Sequence, residues 1–202
     1  MVRDGRGCRL ILAIDTSAGT SAAVVSDRVL SEVVFDDPFG HAENIGLAIS
    51  QAMSDAGVQA NQITSVAMGR GPAPYTGLRV GMAAALSFAA ARKLDVFGVM
   101  VFDAIAHSLP KGKVLLVSDA KRREFFAAGY ESGSRVFGPE VLTGEQLEQM
   151  TEYQKHDAAC SAGLVGLYAN WAITAGLDLS DHSAIYLRSP DVSPSPGKRV
   201  SG

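Results

Sequence analysis

The sequence is poor in cysteine, poor in charge and without a long hydrophobic run. Its two cysteines, Cys8 and Cys160, are too few for a disulfide framework or a zinc site, and we expect both to be small buried side chains. Charged residues make up 19% and the net charge is −3, so the chain as a whole does not attract nucleic acid. The apolar runs 10–14 and 80–91 are too short for a signal peptide or for the roughly 18 residues of a membrane span. Because 47% of the 202 residues are hydrophobic, we expect a cytoplasmic globular protein rather than a disordered one.

The order of the apolar patterns predicts an α/β fold. Three short strands with tight connections come first and are expected to pair antiparallel: 10–14, 20–26 and 29–35. Helices and further strands then alternate: helix 41–56, strand 65–68, helix 78–93, strand 96–101 and helix 102–109. A meander extended by parallel strands through helical crossovers is the layout of a ribonuclease H-like lobe.

The second half of the chain begins in the same way. A strand at 114–117 runs into Asp119, a polar turn follows, and a return strand covers 124–130. An aspartate that closes the first strand of each half indicates a duplicated ribonuclease H-like (actin-like, ASKHA) fold of two lobes. Only one longer helix, 164–175, follows a strand near 157–161, so the second lobe is expected to be reduced. The predicted division is 1–108 for the N-terminal lobe, 109–188 for the reduced C-terminal lobe and 189–202 for an irregular tail.

A phosphate-binding turn is expected after the first strand of such a fold. Asp15, Thr16 and Ser17 occupy that turn and offer hydroxyl groups. Ser17 stands where ATPases of this fold usually carry glycine, and the second turn, 119–123, has neither glycine nor a hydroxyl. The segment 162–166 is a weak candidate for an adenosine loop. The alternatives are a hairpin turn with vestigial nucleotide affinity and a small-molecule kinase or ATPase that uses Asp15.

A glycine- and proline-rich loop, 69–81, joins a strand to a helix. Its backbone N–H groups, with Arg70 and Arg79 beside them, are suited to an anion. It is not a Walker loop, because no Gly-Lys-Ser/Thr follows. The alternative is a rigid loop in which Thr76 caps the next helix.

The helix predicted over 78–93 is apolar on both faces, so it needs cover on both sides. One face suits the sheet, and the other suits a neighbouring helix or a partner subunit. We predict a partner-facing surface on the first two helices, and complete burial within the monomer is the alternative. The predicted interface residues are Ile45, Ile49, Met53, Leu78, Met82 and Leu86.

No catalytic or metal-binding residues are predicted. His41 opens a helix, but Ile45 stands at the i+4 position where a second metal ligand belongs. The sequence has no Gly-x-Ser-x-Gly elbow and no plausible Cys/His pair. The basic run Lys121, Arg122 and Arg123 is either a solvated turn or a contact for an RNA backbone.

Four segments in this order resemble the TsaB (YeaZ) family. They are the stretch Ile11 to Ser17, then His41, then the loop 69–81, and last the stretch Ile185 to Asp191, which contains Tyr-Leu-Arg-x-Pro. The family loop usually reads Gly-Pro-Gly-Ser-Phe/Tyr-Thr-Gly, and here Ala73 and Pro74 replace Gly-Ser. That departure weakens an anion-binding role of the loop rather than the resemblance.

The resemblance implies a non-catalytic scaffold with no metal and no cofactor of its own. Members of this family pair through helices of the first lobe with the catalytic subunit TsaD, and ATP or ADP at that interface is left open. With the ATPase TsaE, the pair transfers threonylcarbamoyl to the adenosine beside the tRNA anticodon. The resemblance therefore implies a TsaD-type and a TsaE-type partner, a homodimer in isolation and indirect contact with tRNA. The competing hypotheses are the kinase or ATPase above and a metallopeptidase.

Overall fold

Two β-sheets, one in each half of the chain, organise the molecule. The computed structural model describes residues 9–37, 40–73 and 75–188. The predictions for Cys8, for Pro74 and for the tail 189–202 lie outside the described residues. Within them, no helix is both long and apolar enough to cross a membrane.

The first sheet has the predicted meander with two parallel strands added. Its strands are β1 (Ile11–Asp15), β2 (Thr20–Val25), β3 (Val29–Phe35), β4 (Ser65–Gly69) and β5 (Asp95–Val99), in the spatial order β3-β2-β1-β4-β5. β1 pairs antiparallel with β2 and parallel with β4, which pairs parallel with β5. The helices between them are α1 (His41–Asp55), α2 (Tyr75–Arg92) and α3 (Val101–Ser108).

The second sheet repeats this order with one strand fewer. Its strands are β6 (Lys113–Asp119), β7 (Glu124–Glu131), β8 (Ser134–Thr143) and β9 (Gln154–Asp157), in the order β8-β7-β6-β9. Two helices complete the described part of the chain: α4 (Gly144–Gln149), which Thr143 caps, and α5 (Ala162–Thr174). The repeated arrangement confirms the duplicated ribonuclease H-like fold. The strand expected near 157–161 ends at Asp157 instead, because β9 is a polar edge strand without an apolar pattern.

Helices cover both faces of the first sheet. Along β1, Leu12 and Ile14 face the cluster that includes α1 and α2, whereas Ile11 and Ala13 face the cluster that includes α3 and α5. This double cover explains why β1 is an unbroken apolar run. Gly166 of α5 permits close packing, because a methyl group there would lie 2.6 Å from a methyl carbon of Val25. The segment 162–166, weighed as an adenosine loop, is therefore the first turns of a packed helix.

The predicted division of the chain at residue 108 stays a prediction. The two sheets are built from residues on either side of it, but α5 follows β9 and packs on the first sheet. After α5, a segment at 177–188, the C-terminal strap, runs along β5. Gly98 N–H donates to the carbonyl of Leu179 at 2.8 Å, and Ile185 N–H donates to the carbonyl of Arg70 at 2.8 Å.

Candidate functional site

A cleft of about 730 Å³ lies where the two aspartate turns face each other. Thr16 and Ser17 line it from the first turn, and Ser118 and Asp119 line it from the second. Its remaining walls come from the strand-to-helix loop, the start of α1 and the residues around the end of β9. Both turns are thus brought together, as expected for the two lobes of this fold.

Asp15 lies buried beneath this cleft. One carboxylate oxygen, Oδ2, accepts hydrogen bonds from the Ser17 hydroxyl at 2.6 Å and from the Ser17 N–H at 3.1 Å. The other, Oδ1, has no hydrogen-bond partner among the described residues and lies against Gly69. Burial raises the pKa of Asp15 to about 6, and the bonds from Ser17 oppose that shift.

The neighbouring polar groups are already bonded within the protein. The Thr16 hydroxyl donates to the carbonyl of Gly77 at 2.8 Å, so it is directed at α2. His41 Nδ1 lies 2.9 Å from the Thr20 hydroxyl, and its Nε2 lies against Gly77. The Thr16 hydroxyl, bonded to Gly77, and the Ser17 hydroxyl, bonded to Asp15, are both held within the protein, so neither is aimed at a phosphate.

The second turn carries an ion pair instead of a phosphate cradle. Lys121 Nζ lies 2.9 Å from Asp119 Oδ2, and Lys121 N–H donates to Asp119 Oδ1 at 2.7 Å. These hydrogen bonds lower the pKa of Asp119. Among the described residues, no group of three or more His, Cys, Asp or Glu side chains is placed to hold a metal.

Two arginines hold the C-terminal strap, Arg70 in the strand-to-helix loop and Arg79 near the start of α2. Arg70 Nη1 lies 2.5 Å from Asp181 Oδ2 and donates to the Ser183 carbonyl at 2.9 Å. The Ser183 hydroxyl and N–H, together with Arg70, lower the pKa of Asp181 to about 2. Arg79 lies over the Tyr75 ring, 3.7 Å from its centre, and donates to the Tyr186 hydroxyl at 2.9 Å.

Neither Arg70 nor Arg79 lines the cleft. The helix that follows begins at Tyr75, so the prediction that Thr76 is its N-cap is wrong. Gly77 lies in the first turn of α2 and leaves room for His41, because a side chain there would lie 2.6 Å from His41 Nε2. The loop therefore connects the first sheet to the strap.

Part of the predicted partner-facing surface is internal. Ile45, Leu78 and Met82 are buried against the first sheet, so the prediction that their side chains face a partner is wrong. Since α2 is apolar all round, its periodicity could not tell the sheet-facing side from the outer side. Ile49 and Met53 are half-buried, and Leu86 is 39% exposed.

Sequence reasoning missed Leu47, the one leucine of α1, which is 61% exposed. It stands among polar positions of α1, and a leucine there becomes informative only together with other apolar side chains on the same surface. We call the exposed apolar surface of the two helices the outer helical face. Its members are Leu47, Ala83, Leu86 and Ala90, with the half-buried Ile49 and Met53.

The chain can now be compared with known proteins. The family model described as TsaD, tRNA N6-adenosine threonylcarbamoyltransferase, matches residues 37–173. The chain belongs to this family. Within it, the resemblance to TsaB (YeaZ) proteins is confirmed.

Relatives and a solved structure support that placement. An uncharacterised protein of Mycobacterium tuberculosis is 33% identical over 199 residues, which cover 91% of this chain and 94% of the relative. The Escherichia coli tRNA threonylcarbamoyladenosine biosynthesis protein TsaB is 26% identical over 197 residues, 90% of this chain and 80% of that protein. YeaZ of Pseudomonas aeruginosa shares the fold, with a TM-score of 0.73, 20% identity and coverage of 89% and 100%.

Membership of the TsaB (YeaZ) family links the chain to tRNA threonylcarbamoyladenosine modification. The family model spans both helices of the outer helical face, the second aspartate turn and most of α5, whereas the first aspartate turn lies before the matched residues. The outer helical face therefore lies wholly within the region that matches the family, and the cleft lies there only in part.

Proposed function

We propose that this chain is a non-catalytic subunit of the tRNA threonylcarbamoyladenosine modification system, and that it pairs with a TsaD-type subunit through the outer helical face. The observation that carries the proposal is the exposure of Leu47 and Leu86 on two helices that pack side by side on one sheet. A fully buried leucine contributes about 1.5–3 kcal/mol, so covering both is a substantial gain for an assembly.

The side chains around these leucines favour a helix as the covering element. Ala83 and Ala90 flank Leu86 on the exposed side of α2 and allow another helix to approach closely. Ile49 and Met53 extend the apolar surface onto α1. An apolar centre of this kind is the usual composition of a stable subunit interface.

A related chain is the partner that fits this face. The family model that matches residues 37–173 is that of TsaD, so a TsaD-type subunit carries the same helical layer. Two related subunits joined about a pseudo-two-fold axis bring equivalent helices together. The same geometry serves a homodimer when the TsaD-type subunit is absent. A TsaE-type ATPase completes the assembly, and this chain contacts tRNA indirectly, through the other subunits.

The arrangement of the cleft supports a non-catalytic role. Asp15 is buried and held by Ser17, Thr16 is bonded to Gly77, and Asp119 is paired with Lys121. Side chains that would act on a substrate in a kinase of this fold therefore already have hydrogen-bond or ion-pair partners within the protein.

Co-elution with the TsaD-type subunit of the same organism tests the pairing. Leu47→Glu/Leu86→Glu places two charges on the outer helical face, and we expect it to abolish co-elution in gel filtration. Val136→Glu is the matched control, because Val136 is 50% exposed on β8, away from that face. Co-elution of the double variant at the level of the control would contradict the proposal, provided that both variants keep the wild-type Tm within about 3 °C.

A small-molecule kinase or ATPase that uses Asp15 is the second candidate function. The cleft volume of about 730 Å³ suits a nucleotide, and Ser17 lines it. This candidate requires micromolar ATP binding that Asp15→Ala abolishes. Calorimetry with ATP and magnesium decides the matter, since no heat with the wild-type chain eliminates the candidate.

A further inference from the structure

Arg79 extends the outer helical face along α2 toward the cleft. It precedes Ala83, Leu86 and Ala90 by 4, 7 and 11 residues, the spacing that places side chains on one side of a helix. All four residues are exposed. Because Tyr75, at the start of the same helix, lines the cleft, this end of the stripe lies beside the cleft. The apolar stripe of α2 therefore begins with a cation.

Two tyrosine rings hold the side chain of Arg79 in place. Its guanidinium carbon lies 3.7 Å from the centre of the Tyr75 ring and 5.7 Å from the centre of the Tyr186 ring. Arg79 Nε donates to the Tyr186 hydroxyl at 2.9 Å, and Nη2 donates to the Tyr75 hydroxyl. The centres of the two rings are 4.3 Å apart. The guanidinium is therefore pre-organised at the surface, so a partner that binds it loses little affinity to the ordering of this side chain.

The positive charge of Arg79 has no opposite charge beside it in the described part of the chain. Its two acceptors are tyrosine hydroxyls, which are neutral near pH 7. The ion pairs between described residues all involve other cations. An arginine has five N–H donors, and within the described residues only Nε and Nη2 of Arg79 have acceptors. The Nη1 edge of the guanidinium therefore remains for a ligand.

A partner that covers Leu86 also withdraws Arg79 from water. The two residues lie about two helical turns apart on the same side of α2. Removing a cation from water is costly unless an opposite charge replaces the lost hydration. In a protein interface a carboxylate supplies that charge, and its two oxygens match the fork of a guanidinium. The stripe therefore fits a partner that is apolar opposite Leu86 and acidic opposite Arg79.

We propose that Arg79, held between Tyr75 and Tyr186, binds a carboxylate side chain of the TsaD-type subunit at the end of the outer helical face beside the cleft. This inference rests on the proposed function, in which that subunit covers the face, and adds the chemistry that the subunit presents there. Tyrosine and arginine are enriched among the residues that contribute most to binding at interfaces. The contact also supplies specificity, because a cation opposite Arg79 is disfavoured.

Calorimetric titration of the chain with the TsaD-type subunit of the same organism tests this contact. Arg79→Gln removes the charge and Arg79→Glu reverses it, and both variants lose the stacked guanidinium. We expect Arg79→Gln to weaken pairing at least about tenfold. Arg79→Glu should weaken it at least about tenfold further, because like charges then meet. Raising KCl from about 50 mM to about 500 mM should narrow the difference between the two variants, since salt screens the repulsion.

Arg92→Glu is the matched control. Arg92 is an exposed arginine of the same helix, but it follows Arg79 by 13 residues and so lies about 220° round the helix axis from it. We expect this control to weaken pairing by less than about fivefold. Tyr186→Phe removes one hydroxyl acceptor but keeps the ring and the charge of Arg79, so it should weaken pairing less than Arg79→Gln. Each variant is compared only if it keeps the wild-type Tm within about 3 °C.

The outcomes distinguish this contact from the proposed function. Absence of pairing in the wild-type chain would overturn both proposals. Wild-type pairing with equal affinities of Arg79→Gln and Arg79→Glu would overturn only this one, since lost contacts with the tyrosines would then explain the effect. Normal pairing of both variants would overturn it as well. In that case, loss of self-association by the isolated variants would assign Arg79 to a second copy of the chain, and weaker binding of a tRNA transcript would assign it to RNA.

Discussion

A methyl group on Gly81 would lie 2.2 Å from the hydroxyl oxygen of Thr16. That hydroxyl donates to the carbonyl of Gly77, one helical turn earlier in α2, at 2.8 Å. The turn after β1 and the start of α2 therefore pack together with no space for a side chain. This contact joins the two elements that carry the candidate cleft and the outer helical face.

We expect Gly81→Ala to lower the free energy of unfolding by about 1–3 kcal/mol, because the new methyl group displaces Thr16. Thr16→Ala is expected to cost about 1 kcal/mol for the lost hydrogen bond. The double variant should cost less than the sum of the two, because alanine at position 16 relieves the clash. Urea unfolding of all four proteins measures this coupling, and strict additivity would contradict the contact.

Asp15→Asn is expected to change how stability depends on pH. Because burial raises the pKa of Asp15 from 3.8 to about 6, the folded state holds this proton more tightly than the unfolded state. The wild-type chain therefore loses up to about 3 kcal/mol of stability from this group as the pH rises from about 4 to above 6. The asparagine variant does not lose it.

The measurement for Asp15→Asn is urea unfolding at pH 4 and pH 7, followed by the fluorescence of Trp171, the only tryptophan in the sequence. Comparison with wild type at each pH cancels the titration of other carboxylates. The difference in stability should shift in favour of the variant between the two pH values. An equal difference at both would mean that Asp15 does not titrate in this range.

Truncation of one residue on each side of α2 to alanine should distinguish its sheet-facing side from its outer side by the loss of stability. Met82 is 8% exposed and packs against the first sheet, so we expect Met82→Ala to cost about 2–5 kcal/mol. Leu86 is 39% exposed, and we expect Leu86→Ala to cost less than about 1 kcal/mol in the isolated chain. Thermal unfolding at low protein concentration measures both, and equal costs would show that the two sides are assigned wrongly.

Arg188→Ala should loosen the turn between β6 and β7 (residues 120–123, the basic turn), because Arg188 bonds both the Ala120 carbonyl and the Glu124 carboxylate. We expect a loss of about 1–3 kcal/mol and faster amide hydrogen exchange at 120–124. Arg28→Ala is the control, since Arg28 is an exposed arginine in another turn. If exchange at the basic turn is the same in both variants, the strap does not hold it.

Much of the first sheet could be predicted because its strands are central and apolar. β3 has the predicted bounds, and β1 and β2 differ from prediction by one residue at their ends. α2 begins at Tyr75, three residues before its predicted start, since a glycine at position 77 is typical of a loop in the sequence. Glycine is needed at position 77 because His41, 36 positions away in the chain, packs against it. No local sequence pattern reveals that contact.

The candidate site could be predicted only in part, because some of its contacts join residues far apart in the sequence. Asp15, Thr16 and Ser17 do meet the second aspartate turn at one cleft, since the duplication placed both turns at equivalent strand ends. The inward hydrogen bond of Thr16 and the pairing of Arg70 with Asp181 join residues 61 and 111 positions apart. Contacts at such separations follow from packing and not from neighbouring residues.

By itself, the sequence determined the order of the elements, the duplicated fold and the family, because these follow from apolar periodicity and local motifs. It also determined that α2 is apolar all round. Only the tertiary structure decided that Met82 faces the sheet and that Leu86 and Leu47 face outward. The physical reason is that burial depends on what lies opposite a side chain, and the sequence of one helix does not contain that neighbour.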